Sequence, residues 1–145
     1  MWETESTIDI AAPVATVYKY LADFARHPEW STGLEALEPA GNGPLAVGSE
    51  LIATEKVPAR FTSHTRITAL DQDQRIAWEA WDERTTRANW AFELAPRGAS
   101  THLVQRAQFQ PTGLLGRILL AAMRKRQIPQ ENAQSLARIK ANLER

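Results

Sequence analysis

The stretch that decides the fold is residues 8–30, IDIAAPVATVYKYLADFARHPEW. Residues 2–10, which overlap the start of this stretch, alternate threonine and isoleucine with acidic residues. This pattern predicts a short strand that ends before Pro13. Proline is favoured at the first position of a helix because its missing N–H would have no partner there. We therefore expect a helix from Pro13, whose apolar residues recur at helical spacing at Val14, Val17, Tyr18 and Leu21. A second short helix, opened or interrupted by Pro28, carries Trp30.

The middle of the chain predicts an antiparallel meander. Clusters of glycine, proline, asparagine and aspartate separate short segments that are rich in β-branched and aromatic residues. We expect strands near residues 33–38, 47–56, 60–70, 74–81, 87–95 and 101–109. Alternation then assigns an inward face to one set of side chains, namely Phe61, Ser63, Thr65, Ile67, Ile76, Trp78, Ala80, Trp90, Phe92, Leu94, Leu103, Gln105, Ala107 and Phe109.

The C-terminal segment predicts one long helix after Gly113. Its apolar stripe runs through Leu115, Ile118/Leu119 and Ala122 and resumes at Leu136, Ile139 and Leu143. Between these parts the same face carries small or polar residues, and Pro129 cannot donate a helical hydrogen bond. We expect the helix axis to bend between Arg126 and Ala133 and to leave a cavity beneath it. Strands and helices in this order predict an α+β fold with the last helix covering the sheet.

Composition limits the class of protein. The 145 residues fit one domain, 1–145, and 43% hydrophobic with 23% charged residues excludes disorder and fibrous structure. No apolar run is long enough to span a membrane, and no secretory signal opens the sequence, so we expect a cytoplasmic protein. Cysteine is absent, which excludes thiolate chemistry and disulfides.

Charge is balanced overall but divided along the chain. Seventeen basic and seventeen acidic residues cancel, so we expect no nucleic-acid partner. Residues 117–145, however, hold seven basic and two acidic residues, so this stretch is +5 and the remainder is −5. The basic end either complements the acidic body or offers a site to an anionic group or an anionic membrane surface.

Several motifs resemble the START-related superfamily of polyketide cyclase/dehydrase and lipid transport proteins (SRPBCC). The opening residues 8–13 are followed by Val17, Leu21, Asp23-Phe24, His27-Pro28 and Trp30. Later pieces agree, at Val47-Gly48, residues 67–70, residues 75–78, residues 98–101 and residues 136–140. The resemblance implies a helix-grip fold, a seven-stranded antiparallel sheet wrapped around a long C-terminal helix, with an apolar cavity between them. Since the matched residues are fold determinants, no catalytic residue is carried over.

The candidate site residues are those that the pattern places around this cavity. Trp78 and Trp90 lie on adjacent inward strands, and pockets are typically apolar and aromatic with a few polar groups. Glu55 points either inward or to solvent, Gln105 is a polar residue on an inward face, and Arg126 is a candidate partner for an anionic head group. The full candidate set is Glu55, Phe61, Thr65, Trp78, Trp90, Phe92, Gln105, Ala107, Phe109, Met123, Arg126 and Pro129.

We expect neither a metal nor another cofactor. The three histidines, His27, His64 and His102, are far apart in the sequence, and zinc sites usually combine histidine with cysteine or carboxylate at short spacing. We expect His27 in a structural turn and the other two on the outer face. No glycine-rich phosphate loop is present.

Three functional hypotheses remain open. The leading one is binding of a hydrophobic or amphipathic small molecule, such as a lipid, isoprenoid or polyketide-like compound, by a monomer or homodimer. The second is a cyclase or dehydratase of the same fold, with Glu55 or His64 as acid–base candidates. Such an enzyme requires at least one titratable residue inside the pocket whose pKa is shifted. In the third, which we do not favour, residues 113–126 dock on a membrane surface as an amphipathic helix.

Overall fold

The structure is a computed structural model that describes residues 2–56, 60–82, 86–123 and 126–145. Across these residues the chain forms one antiparallel sheet, a pair of short helices after the first strand, and two C-terminal helices. The strands are β1 (Trp2–Ile10), β2 (Leu34–Pro39), β3 (Glu50–Glu55), β4 (Phe61–Asp71), β5 (Arg75–Trp81), β6 (Thr86–Arg97) and β7 (Ser100–Pro111). The helices are α1 (Val14–Ala22), a 3-10 helix (Phe24–Glu29), α2 (Gly113–Met123) and α3 (Gln127–Leu143).

The sheet is a meander to which the first strand is added at one edge. Its order is β1-β7-β6-β5-β4-β3-β2, and each neighbouring pair is antiparallel. The register shifts between Ile67 and Ala69 in β4 and between Leu34 and Ala36 in β2. Such irregularities bend a strand and increase its twist, which helps this sheet to curl around the terminal helix. The predicted seven-stranded helix-grip fold with two short helices after the first strand is confirmed.

Helix α3 is fastened to the beginning of the chain. Leu136 and Ile139 of α3 are buried in the main hydrophobic cluster. At its C-terminal end the Lys140 ammonium donates to the Asp9 carbonyl at 2.8 Å, and the Ala11 N–H donates to the Glu144 carboxylate at 2.7 Å. The C-terminal half of α3 is thus fixed over the edge of the sheet that contains β1.

The predicted single terminal helix is wrong in detail. The chain forms two helices, α2 and α3, and residues 124–125 between them lie outside the described residues. The bend expected at Pro129 is also wrong, because α3 runs through this residue without interruption from Gln127 to Leu143. Pro129 occupies the first turn of α3, where its missing N–H leaves no helical hydrogen bond unmade.

The inward face predicted for α2 needs correction too. Leu115 and Ile118 are 55% and 58% exposed, whereas Gly116 and Leu120 are buried. The helix is apolar on every side, with five leucine or isoleucine residues between positions 114 and 120, so periodicity could not select the buried face. In α3 the buried face holds Ile128, Asn132, Ser135, Leu136 and Ile139.

Candidate functional site

Two adjoining cavities lie between the sheet and the C-terminal helices. The first, of about 240 Å³, is the outer chamber, and its apolar wall is formed by Phe61, Ala88, Phe109, Leu120, Met123 and Ile128. The second, of about 170 Å³, is the inner chamber, lined by residues that include Trp30, Ala53, Thr65, Trp78, Gln105 and Asn132. Both chambers share Thr32, Glu55, Ser63, Ala80, Trp90 and Glu131. The two chambers therefore lie side by side and form one candidate site.

Aromatic rings form the sheet side of the site because alternate residues of adjacent strands face inward. Trp78 of β5 and Trp90 of β6 are directly paired in register, and their rings stack at 6.4 Å between centroids. Phe109 of β7 meets the edge of Trp90 at 5.4 Å. Such pairs keep large flat surfaces in fixed positions. The result is a rigid apolar wall opposite α2 and the start of α3.

Small and polar residues of α3 face the inner chamber. Asn132 and Ser135 are buried there, at positions where a helix packed on a sheet normally carries large apolar side chains. Farther along α3, Leu136 and Ile139 are buried in the main hydrophobic cluster. The inner chamber therefore lies where the buried face of α3 changes from large apolar side chains to small and polar ones.

Two carboxyl groups, those of Glu55 and Glu131, belong to the wall that both chambers share. Glu55 of β3 accepts a hydrogen bond from the Ser63 hydroxyl at 3.0 Å, and Glu131 of α3 accepts one from the Gln127 amide at 3.3 Å. Burial raises the pKa of Glu55, and the negative charges of Asp82 and Glu131 raise it further. Burial also raises the pKa of Glu131. Both carboxyl groups therefore keep their proton to a higher pH than ordinary surface glutamates do.

His27 lies at the far end of the inner chamber and is almost completely buried. Its Nε2 bonds to the carbonyl of Leu21 at 2.9 Å, and its ring stacks on Phe24 at 4.4 Å between centroids. Burial lowers the pKa of His27 to about 4, so the imidazole is neutral at physiological pH. The interpretation of His27 as part of a structural turn agrees with this placement.

The two other histidines lie outside the chambers. His64 stacks on Trp81 at 5.4 Å between centroids, and His102 pairs with Asp9 at 2.7 Å. His64 lines neither chamber, so it has no access to a ligand there and is withdrawn as an acid–base candidate. Within the described residues, no three histidine, aspartate or glutamate side chains gather closely enough to form a metal site.

The candidate residues from the sequence divide into four groups. Glu55 and Trp90 line both chambers. Phe61, Phe109 and Met123 line the outer chamber, and Thr65, Trp78 and Gln105 line the inner one. Four candidates line neither, namely Phe92, Ala107, Arg126 and Pro129.

Each of these four residues has a physical reason for its position. Phe92 is fully buried against Trp30 and Trp78, and Ala107 is buried in a small cluster with Phe109. Arg126 is exposed just before α3, and Pro129 is exposed in its first turn. Arg126 therefore lines neither chamber, and its contact with an anionic head group stays a prediction.

Sequence reasoning missed Trp30, Thr32, Ser63 and Glu131 as wall residues. A signal for Glu131 was present, since Ile128, Glu131, Asn132 and Ser135 recur at helical spacing once α3 begins at Gln127. Trp30 and Thr32 follow the 3-10 helix in irregular chain, where periodicity gives no face.

Comparison with known proteins places the chain in a family. The family model described as "Polyketide cyclase / dehydrase and lipid transport" matches residues 1–144. No curated protein matches the sequence. No helix in the described residues is long and apolar enough to cross a membrane.

Solved structures share the fold at low sequence identity. The Zhui aromatase/cyclase from Streptomyces sp. R1128 superposes with a TM-score of 0.81 at 18% identity, covering 99% of this chain and 94% of that one. A START superfamily protein from Mycobacterium smegmatis gives a TM-score of 0.74 at 17% identity, with 98% and 97% covered. The di-domain aromatase/cyclase BexL gives 0.77 at 18% identity, covering 99% of this chain and 47% of that one. With the family match over nearly its whole length, the chain belongs to the polyketide cyclase/dehydrase and lipid transport family.

Proposed function

We propose that residues 1–145 act as one domain that binds a single hydrophobic or amphipathic small molecule in the two chambers. The observation that carries this proposal is the pair of adjoining chambers, an apolar aromatic outer one and a more polar inner one that have wall residues in common. Ligand sites typically have about 300–1,000 Å³, mostly apolar walls and a few polar groups that fix orientation. The two chambers, of about 240 and 170 Å³, together lie at the lower end of this range.

The driving force for binding is removal of apolar surface from water. Each Å² of apolar ligand surface covered by Phe61, Trp90, Phe109 and their neighbours contributes about 25 cal/mol. A fixed aromatic wall limits the conformational entropy lost on binding. The site therefore favours a compact molecule with a flat apolar body.

A neutral fluorescent probe tests this proposal. N-phenyl-1-naphthylamine should bind with one-to-one stoichiometry and change the fluorescence of Trp78 and Trp90. Ala80 lines both chambers, so Ala80→Trp should block binding. Ala95→Trp is the matched control because Ala95 is exposed on β6 and lines neither chamber. Equal binding by both variants would contradict the proposal.

An enzyme is the second candidate function, and the position of Glu55 favours it. A dehydratase or cyclase needs a titratable group inside its pocket with a shifted pKa, and Glu55 lies in the shared wall with its pKa raised by burial. Glu55→Gln separates the two functions because glutamine keeps the shape but carries no ionisable proton. With a linear poly-β-ketone thioester as substrate, an enzyme would lose turnover in this variant, measured as release of one water by mass spectrometry, while retaining binding.

Membrane docking stays as a third candidate because of the exposed ridge on α2. Leu114, Leu115 and Ile118 are 74%, 55% and 58% exposed, and Arg117 lies among them. An amphipathic helix of this kind binds anionic lipid surfaces through apolar burial and charge. Flotation with phosphatidylserine-containing liposomes tests it, with Leu114→Ser/Ile118→Ser as the variant that should stay in solution.

A further inference from the structure

Buried polar atoms without a protein partner concentrate in the inner chamber. Among the residues that the structure describes, three side-chain atoms of this kind occur, Trp30 Nε1, Thr32 Oγ1 and Gln105 Oε1. All three residues line the inner chamber, and Trp30 and Gln105 are only 2% and 4% exposed. Buried polar groups in folded proteins almost always have a partner, so each such atom requires an explanation. A ligand in the inner chamber that reaches these atoms would supply the missing partners.

The chemistry of these atoms selects the kind of ligand group. The Trp30 indole N–H can only donate, and the Gln105 carbonyl oxygen can only accept. An alcohol hydroxyl both donates and accepts, so one such group can satisfy either atom. A carboxylate only accepts and leaves Gln105 without a partner. An ammonium group only donates and leaves the Trp30 N–H without one.

The charge of the chamber walls points the same way. Glu55 and Glu131 line both chambers, and no lysine or arginine belongs to either wall in the described part of the chain. Burial raises the pKa of both glutamates, which shows that this environment disfavours a negative charge. His27 is neutral and supplies no compensating positive charge. An anionic head group would therefore meet no counter-charge from the wall residues that the structure describes.

We propose that the inner chamber recognises an uncharged alcohol hydroxyl at the end of an apolar molecule, whose body occupies the outer chamber. Trp30 and Gln105 bind the hydroxyl, and Phe61, Phe109 and Leu120 contact the apolar body. This inference rests on the proposed function and specifies its ligand class. It also fixes the direction of the ligand, with the polar end deep and the apolar end toward α2.

Four naphthalene compounds of matched shape test the proposal: 2-(2-naphthyl)ethanol, 2-naphthylacetic acid, 2-(2-naphthyl)ethylamine and 2-ethylnaphthalene. Calorimetric titration should show the alcohol binding about tenfold more tightly than the other three, the scale of one well-made hydrogen bond. In Gln105→Met the alcohol should lose most of this advantage while 2-ethylnaphthalene keeps its affinity. Trp30→Phe should act similarly, and Gln110→Met, at an exposed position of the same strand, should change neither.

The outcomes separate this inference from the proposed function. Equal affinity for the alcohol and 2-ethylnaphthalene, or tightest binding of the acid or amine, would overturn the inference and leave the proposed function standing. Absence of binding by all four compounds would overturn both. If Trp30→Phe does not fold, Gln105→Met decides alone, and a loss of alcohol and hydrocarbon affinity by the same factor would overturn the inference.

Discussion

The space between sheet and helices has a packed end and an open end, built from the same strands. At the packed end, around Phe24, Phe92, Leu103 and Ile139, the side chains are fully buried. At the open end, around Phe61, Phe109, Leu120 and Ile128, the side chains surround the outer chamber. The sheet presents large apolar residues to both ends, whereas α3 presents Leu136 and Ile139 to one and Ile128, Asn132 and Ser135 toward the other. The inner chamber therefore lies where α3 carries Asn132 and Ser135 in place of large apolar side chains, whereas large side chains of both helices surround the outer chamber.

Truncating one phenylalanine at each end gives the largest expected contrast. Phe92→Ala should lower the free energy of unfolding by about 3–5 kcal/mol, because it removes a fully buried ring and leaves a cavity. Phe61 is 36% exposed and lines the outer chamber, so Phe61→Ala should cost less than about 1 kcal/mol. Urea unfolding of both variants measures the difference. Similar losses would show that the open end is packed like the core.

The titration of His27, which stacks on Phe24 and lines the inner chamber, tests by pH how completely this boundary between the two ends is buried. Its pKa is about 4 in the folded protein against an ordinary 6.5, so the neutral form is favoured by folding. This contribution is present above pH 6.5 and is lost as the pH falls toward 4, and it amounts to about 3 kcal/mol. The stability difference between the protein and His27→Gln should therefore shift by that amount between pH 7 and pH 4. Glu55 and Glu131 titrate in both proteins and cancel. A difference that does not change with pH would contradict burial of the imidazole.

Adding volume distinguishes the ends by a smaller effect. Ala107 is buried and lines neither chamber, so Ala107→Trp should overpack the structure at a cost of about 1–3 kcal/mol. Ala80→Trp instead extends into the shared wall of the chambers and should cost less than about 1 kcal/mol. Thermal unfolding of the pair gives the comparison. The account fails here if Ala80→Trp is the less stable of the two.

The smallest effect is expected on the outer side of α2. Ile118 is 58% exposed, so Ile118→Ser should change the free energy of unfolding by less than about 0.5 kcal/mol. Leu120 is buried on the opposite side of the helix, and Leu120→Ala should cost more, about 2 kcal/mol or above. Equal costs would mean that α2 buries both sides.

Much of the fold was predictable because its signals are local. Alternation placed Trp78, Leu103 and Gln105 on the inward face, and Pro13 marked the start of α1 within one residue. The strand positions followed from turn residues, which act within a few positions of themselves. The residue pattern also gave seven strands, and the family resemblance supplied the helix grip, in which the sheet wraps around the terminal helix.

The site was only partly predictable because it depends on contacts between distant segments. Glu55 of β3 and Glu131 of α3 line the same chambers although they are far apart in the sequence, and no residue spacing predicts this proximity. Arg126 precedes α3 and Pro129 lies in its first turn, and neither residue lines a chamber. Proline is tolerated in the first turn of a helix, so Pro129 does not bend α3. In α2, apolar residues on all sides gave no preferred face, and the predicted orientation was wrong.

A crystal structure of the protein grown with 2-(2-naphthyl)ethanol tests the central claim most directly. The account predicts one molecule per chain, with its ring against Trp90 and Phe109 in the outer chamber and its hydroxyl beside Trp30 and Gln105 in the inner one. The same crystals of Ala80→Trp should hold no compound at this place. A structure in which side chains of the sheet and α3 close both chambers, or in which the compound lies only on the exposed side of α2, would contradict the account.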